Sequence, residues 1–378
     1  MIKSATHLNY RDKTNLGSFY TPPHIVRQVY GLLKKFVGSN DIDVLLEPSC
    51  GYGAFFEYPF AERRMRLVGA DIDPQALAVA RERIPAAEFF AQNALFAVAR
   101  ENYGIRRDEK LVIVGNPPYN DKTSQVKGGV KRAADYAIDP DLQARDLGLS
   151  SLLAYRKLSP NFIAVLHPLS YLIKPANFRI LSPLLNDYRL VDALVFSSQE
   201  FAETSKITGF PIVIAVYQQD GRGTTFQDIE NWQFITLTGE IFSLNRFDYI
   251  SRYLAKYPQK VKREDYSGHL FYTMRDINAL KRSRTFIAED MPNAVQIDSR
   301  QLQYYHYVDV FKNYVDQIPY YLGNFNIPID HPSFLRLADD FEVVSKSMHP
   351  DIFADAPAVS PAPSKARIDD YFQRLFSA

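Results

Sequence analysis

Seven short apolar runs constrain this chain most. They are DVLLE (43–47), RLVGAD (66–71), AEFFA (87–91), LVIVG (111–115), FIAVLH (162–167), LVDALVF (190–196) and PIVIAVY (211–217). Near-continuous apolar runs of this length suit strands buried on both faces, as in a parallel sheet. Helical patterns lie between several of them. Upstream, Thr21 reads as an N-cap with Pro22 at the first helical position. Ile25, Val26, Val29, Leu32, Leu33 and Phe36 then recur at helical spacing, and Gly38 stands where a C-cap would. PQALAVARERI (74–84) opens on proline and stops at Pro85; PANFRILSPLL (175–185) opens on proline and carries a breaker at Pro183. Strands alternating with helices predict an α/β fold, a seven-stranded Rossmann-like sheet with helices on both faces. No helical pattern separates the last two runs, so an antiparallel final strand is expected.

Beyond Gln218 the texture changes. QQDGRG is a turn-rich break, and residues 224–350 are rich in Tyr, Phe, Lys and Arg without strand-helix alternation. This predicts a catalytic domain over 1–220 and a second domain over 221–350. Residues 351–378 read as a Pro/Ala-rich linker and a tail, in which Ile368, Tyr371, Phe372 and Phe376 line one side of a short helix.

Composition narrows the function classes. The formal net charge of the 378 residues is +1, so no global basicity points to nucleic acid, although a local basic face is compatible with that sum. The single cysteine, Cys50, precludes an internal disulfide and a cysteine metal pair, and reads as a small packed residue. No metal site is expected. The first residues lack a signal-type apolar core, and no apolar run approaches the ~20 residues of a membrane helix. The expectation is a cytoplasmic protein with no membrane partner.

Candidate site residues sit where the runs end. In LLEPSCGYGAF, Glu47 closes the first run and Gly51 and Gly53 follow in a tight loop. Ligands of open α/β sheets bind at the carboxyl ends of strands, and glycines let the backbone come close to them. A dinucleotide fingerprint would want a third small residue where Phe56 stands, which disfavours hydride chemistry. An acidic residue before the loop suits a cationic ligand such as S-adenosylmethionine. Asp71 ends the second run and can accept both ribose hydroxyls of an adenosine; Ile72 beside it can lie against the adenine. Asp73, before Pro74, reads as a helix cap. Asn93 can meet the adenine amino edge, or serve as a turn asparagine.

The fourth run leads directly into VIVGNPPYN (112–120). LLEPSCGYGAF, GADIDP and VIVGNPPYN, in that order, resemble motifs I, II and IV of the S-adenosylmethionine-dependent amino-methyltransferases. GSFYTPPHIV, upstream of them, resembles motif X of the gamma-group DNA adenine-N6 methyltransferases. The resemblance covers residues 17–217 and implies a class I methyltransferase catalytic domain followed by a target-recognition domain. It carries Thr21 over as a contact to the methionine carboxylate of the cofactor. The segment SSQEFAETSKITGFPIVIAVY resembles motif VIII and puts Phe201 where that group has a base-stacking aromatic. The family often has aspartate at the position of Asn93, whose amide oxygen can still accept from an adenine amino group.

The residue types suit the chemistry. An adenine amino group is a poor nucleophile because its lone pair is delocalised into the ring. Acceptors placed on its two hydrogens, the Asn116 side-chain oxygen and the Pro117 carbonyl, favour a tetrahedral nitrogen and free that pair. Tyr119 offers a ring for the base to stack on, worth roughly 1–3 kcal/mol. A base inside a duplex must first be flipped out, at a cost of a few kcal/mol. NPPY also occurs in RNA adenine and protein glutamine methyltransferases, which form the alternative. The resemblance implies double-stranded DNA as partner, with a cognate restriction endonuclease acting at the same site. Lys122, Lys127, Lys131 and Arg132 follow NPPY around a Gly-Gly pair and are candidates for phosphate contact. Lys256, Lys260, Lys262, Arg263, Arg275, Lys281, Arg282 and Arg284, interleaved with aromatics, are the corresponding candidates in the second domain.

Overall fold

A computed structural model of the chain describes residues 21–37, 42–58, 65–119, 137–201, 209–259, 265–354 and 360–377. They form two compact units, divided between Ser243 and Leu244.

The first unit is built on one sheet. Its strands are β1 (Val44–Glu47), β2 (Arg66–Asp71), β3 (Glu88–Ala91), β4 (Leu111–Gly115), β5 (Phe162–Pro168), β6 (Tyr188–Ser197), β7 (Pro211–Gln219), β8 (Phe234–Thr236) and β9 (Ile241–Phe242). The order across the sheet is β3-β2-β1-β4-β5-β7-β6-β8-β9. From β3 to β5 every pairing is parallel, and β7 runs antiparallel between β5 and β6. The first seven strands in this order, with that one reversal, make the sheet of the class I methyltransferase fold. Every residue of β1 and β4 is buried, on alternate faces of the sheet, so both faces are covered.

The strand expected last, β7, is antiparallel to both its neighbours, β5 and β6. Two further short strands bring the sheet to nine rather than the expected seven. β8 pairs parallel with β6, and β9 antiparallel with β8. Between β7 and β8 a helix starts at a capping box of Thr225 and Asp228, and Phe226 meets Phe178 edge-on at 5.2 Å. These contacts carry the first unit to residue 243 instead of 220.

The main helices of this unit are α1 (Pro23–Leu33), α2 (Pro74–Arg83) and α3 (Leu147–Lys157). α1 buries Ile25, Val26, Val29, Leu32 and Leu33 against the sheet core. Its N-cap is Pro22 rather than Thr21, and no side chain caps it. Pro183 breaks the helix around it as expected: Pro175–Ile180 and Ser182–Asp187 are separate helices. α3 has no amphipathic signature in the sequence, because it is buried from Gly148 to Tyr155.

The second unit contains a three-stranded antiparallel sheet, β12 (Phe286–Ile287), β11 (Tyr266–Tyr272) and β13 (Ala294–Asp298), and a two-stranded pair, β10 (Asp248–Tyr249) with β14 (Pro328–Ile329). Its helices include α4 (Leu302–Phe311), α5 (Ala338–Met348) and α6 (Ala362–Ser377). The tail expected beyond the second domain is part of it. α6 starts inside the Pro/Ala-rich stretch and buries Ile368, Tyr371 and Phe372, with Tyr307, Phe341 and Phe372 in mutual ring contact. Residues 355–359 of the expected linker lie outside the described residues.

Candidate active site

The carboxyl ends of β1, β2 and β4 bring together most of the residues read from the sequence. After β1 the chain turns at Gly51 and Gly53 into a short 3-10 turn, Ala54–Glu57. Gly53 caps that turn at φ +79, a conformation that costs a residue with a Cβ about 1 kcal/mol or more. A Cβ built on Gly51 would meet nothing within 4 Å, so the loop leaves open space above its backbone. Phe56, at the position of the missing third small residue, is accommodated from below. A Cβ on Gly69 of β2 would lie 2.7 Å from Phe89 and 2.9 Å from Phe56, so the glycine makes room for both rings.

Asp71 braces this loop. One carboxylate oxygen accepts from the Gly51 amide at 2.8 Å and the other from the Asp73 amide at 2.9 Å. Each oxygen keeps a lone pair for a ribose hydroxyl. Asp73 caps α2 by accepting from the amides of Gln75 and Ala76, as its place before Pro74 predicts. Ile72 is 43% exposed, and Phe96, beyond the neighbouring β3, is 49% exposed. Sequence reading passed over Phe96; an aromatic in a turn signals a ligand face only once its exposure is known.

Asn93 is engaged by its own turn and by a distant segment. Its side-chain oxygen accepts from Leu95 N at 3.0 Å, and its amide nitrogen donates to Ala137 O at 2.7 Å. The turn alternative describes the first of these contacts.

Glu47 is 3% exposed, and its Oε2 has no hydrogen-bond partner among the described residues. Burial, and then the charge of Asp71, hold its carboxyl well above the ordinary range. Burial likewise raises the pKa of Asp71 and pushes the Cys50 thiol up, as suits a packed, inert cysteine. A buried acceptor with an unused oxygen, an open glycine loop and a ribose-competent aspartate fit a ligand with a cationic amino-acid end and an adenosine.

NPPY leaves β4 beside Glu47. A Cβ on Gly115 would stand 3.5 Å from the Glu47 Cγ. The Asn116 amide nitrogen donates to the Thr21 hydroxyl at 3.1 Å, and the Tyr119 hydroxyl donates to Asn116 Oδ1. Thr21 is 4% exposed. α1 carries it there: the Tyr30 hydroxyl of α1 donates to Phe55 O at 2.6 Å, tying the helix to the glycine turn. Pro117 is buried, and Pro118 and Tyr119 are half-buried.

Behind NPPY lies a buried polar group that sequence reading missed. Asp146 caps α3 through Leu149 N at 3.0 Å and accepts from the Tyr171 hydroxyl. The His167 ring stacks on Tyr171 at 5.4 Å; its Nδ1 donates to Pro168 O, so its Nε2 accepts from the Tyr217 hydroxyl at 2.8 Å. Burial lowers the His167 pKa to about 4.

Phe201 does not face outward. It is 4% exposed and packs in the sheet core, tilted against Phe196 at 5.9 Å. That is the packing of a core ring, not of the exposed stacking partner expected there. Lys122, Lys127, Lys131 and Arg132 lie outside the described residues, as do Lys260, Lys262 and Arg263. In the second unit, Lys256 donates to Arg275 O and Lys281 pairs with Asp316, whereas Arg275, Arg282 and Arg284 are exposed with no carboxylate partner among the described residues. Of the aromatics interleaved with them, Phe271 is core, whereas Tyr257 and Tyr266 are exposed. Among the described residues no cluster could hold a metal ion, and no helix is long and apolar enough to cross a membrane.

No family model and no curated protein matches the chain. Among solved structures it is similar to TrmN from Thermus thermophilus (18% identity, TM-score 0.35, 55% of this chain and 52% of that one). It is also similar to the N-methyltransferase NodS from Bradyrhizobium japonicum in complex with S-adenosyl-L-homocysteine (15%, TM-score 0.33, 56% and 97%). A third similarity is to an rRNA methylase from Streptococcus thermophilus (10%, TM-score 0.30, 53% and 97%). The chain spans about half the length of TrmN. At these identities and TM-scores the likenesses bear on neither substrate nor mechanism, and the fold rests on the strand order itself.

Proposed function

We propose that this protein is a site-specific DNA methyltransferase that moves a methyl group from S-adenosylmethionine to the exocyclic amine of a flipped-out adenine. The observation that carries the reading is the placement of Asn116 at the end of β4, with its amide held between Thr21 and Tyr119 and with buried Glu47 alongside. Glu47, Asp71 and the Gly51 loop would hold the cofactor, whose sulfonium supplies the methyl group.

The chain's own residues do the rest. Asn116 Oδ1 and the Pro117 carbonyl accept the two amine hydrogens and favour a tetrahedral nitrogen. Tyr119 stacks on the base. The work is positioning and electrostatics, with no covalent intermediate on the protein. Phe201 has no part in this scheme. Double-stranded DNA is the proposed partner, with Arg275, Arg282 and Arg284 as phosphate contacts; a cognate restriction endonuclease would share the site. A second unit of residues 244–378 favours DNA over the RNA and glutamine alternatives, because a sequence reader needs its own surface.

The test is incubation of the full chain with tritiated S-adenosylmethionine and, in parallel, double-stranded DNA, RNA and protein extract. Label in DNA at N6-methyladenine within one short sequence is expected. Label confined to RNA or protein would overturn the DNA reading, and label in none would overturn methyl transfer.

A further inference from the structure

Thr21 looks from sequence like the cap of α1, and by resemblance like a contact to the cofactor. The structure gives its hydroxyl a different partner. The helix is capped at Pro22 without any side chain, and Thr21 Oγ1 accepts from Asn116 Nδ2 at 3.1 Å, across 95 residues of chain. The Thr21 side chain is almost fully buried.

This contact bears on the direction of an amide. The two ends of an asparagine side chain are nearly the same size, so packing alone distinguishes them poorly; hydrogen bonds decide which end faces where. Methyl transfer to an amine needs the oxygen toward the substrate. Turned over, Asn116 would point an N–H donor at an amine hydrogen, a repulsive arrangement that also leaves the amine lone pair delocalised. A hydroxyl both donates and accepts, so Thr21 fixes the place and swing of the Asn116 amide, and the substrate's own hydrogens select its face. Threonine suits the task, since its branched Cβ restricts χ1 and holds the hydroxyl in place. On the other side the Tyr119 hydroxyl donates to Oδ1; an amide oxygen carries two lone pairs.

We infer that Thr21 is a positioning residue for methyl transfer: its hydroxyl holds the Asn116 amide in place for the target amine. This rests on the reading of Asn116 as the acceptor for that amine.

Two measurements on the full chain test it. The first is a thermal-unfolding cycle of Thr21→Val, Asn116→Ala and the double variant without cofactor, which is independent of any substrate. A shared hydrogen bond makes the two Tm shifts non-additive by about 2 °C or more; additive shifts overturn the inference. The second is single-turnover methylation of DNA at saturating cofactor, beside S-adenosylhomocysteine affinity by calorimetry. Thr21→Val is expected to slow transfer about ten- to hundredfold with affinity within about twofold of wild type. Thr21→Ser restores most of the rate. A Thr21→Val protein that transfers at the wild-type rate, or that loses cofactor affinity instead, overturns the positioning role. A wild-type protein that labels no DNA overturns the DNA reading, and the unfolding cycle then judges Thr21 alone.

Discussion

The carboxyl groups of Glu47 and Asp71 end neighbouring parallel strands, and burial raises the pKa of each above its ordinary range, with the charge of Asp71 adding to the effect on Glu47. A fold that keeps an unpaired acidic oxygen there gives up stability. The folded state binds more protons than the unfolded chain once pH exceeds the ordinary carboxylate value, so stability falls as pH rises through that window. Glu47→Gln is therefore expected to raise Tm at mildly alkaline pH by a few degrees and to weaken S-adenosylmethionine binding. Wild-type binding should release a proton, seen as calorimetric heats that depend on the ionisation enthalpy of the buffer. A Glu47→Gln protein with unchanged affinity would exclude the cofactor role.

Asn116→Ala removes the side-chain acceptor and leaves the cofactor loop untouched. Methyl transfer should fall by about two to three orders of magnitude, while S-adenosylhomocysteine affinity stays near wild type. Near-wild-type transfer would show that the amide is not the acceptor.

The ring and the hydroxyl of Tyr119 separate by substitution. Tyr119→Phe keeps the stacking face and is expected to transfer within about fivefold of wild type, whereas Tyr119→Ala should weaken DNA binding by about 1–3 kcal/mol. Equal losses in both variants, measured by fluorescence anisotropy and single turnover, would place the contribution in the hydroxyl.

Phe201→Ala tests a packing role against a stacking one. A core phenylalanine costs about 3–5 kcal/mol when truncated, read as a lower midpoint in urea. A variant as stable as wild type but slow with DNA would return Phe201 to the base.

Two buried histidines predict acid sensitivity in both units. His167 is neutral between Pro168 O and the Tyr217 hydroxyl; His306 is neutral beside Ser345, with its Nε2 unpartnered among the described residues. Burial lowers both pKa values from 6.5 to about 4. The unfolded chain then binds more protons below the ordinary value, so their contribution is present above 6.5 and lost as pH falls toward about 4. Each contributes up to about 3 kcal/mol. Urea midpoints across this range should fall, and His306→Asn should flatten the fall for the second unit.

Most of the first unit's sheet was legible in the sequence. The seven runs became β1 to β7 within a few residues, because a strand buried on both faces must be apolar throughout and stop at turn residues. The ligand-facing ends were legible for the same reason: Glu47, Asp71 and Asn116 are the polar residues that close such runs. The second unit was not legible. Its Tyr and Phe residues suit a nucleic-acid surface by composition, yet Tyr305, Tyr307 and Phe372 are core.

The residues alone determined the seven strands β1 to β7, their alternation with helices, and where the candidate chemistry sits along the chain, since these follow from local apolar patterning and turn chemistry. Tertiary structure decided what each side chain touches. It moved Thr21 from a helix cap to the Asn116 amide, set Asn93 between Leu95 and Ala137, buried Phe201, and added two strands at the sheet edge. Burial and hydrogen-bond partners depend on groups distant in sequence, so no local pattern records them.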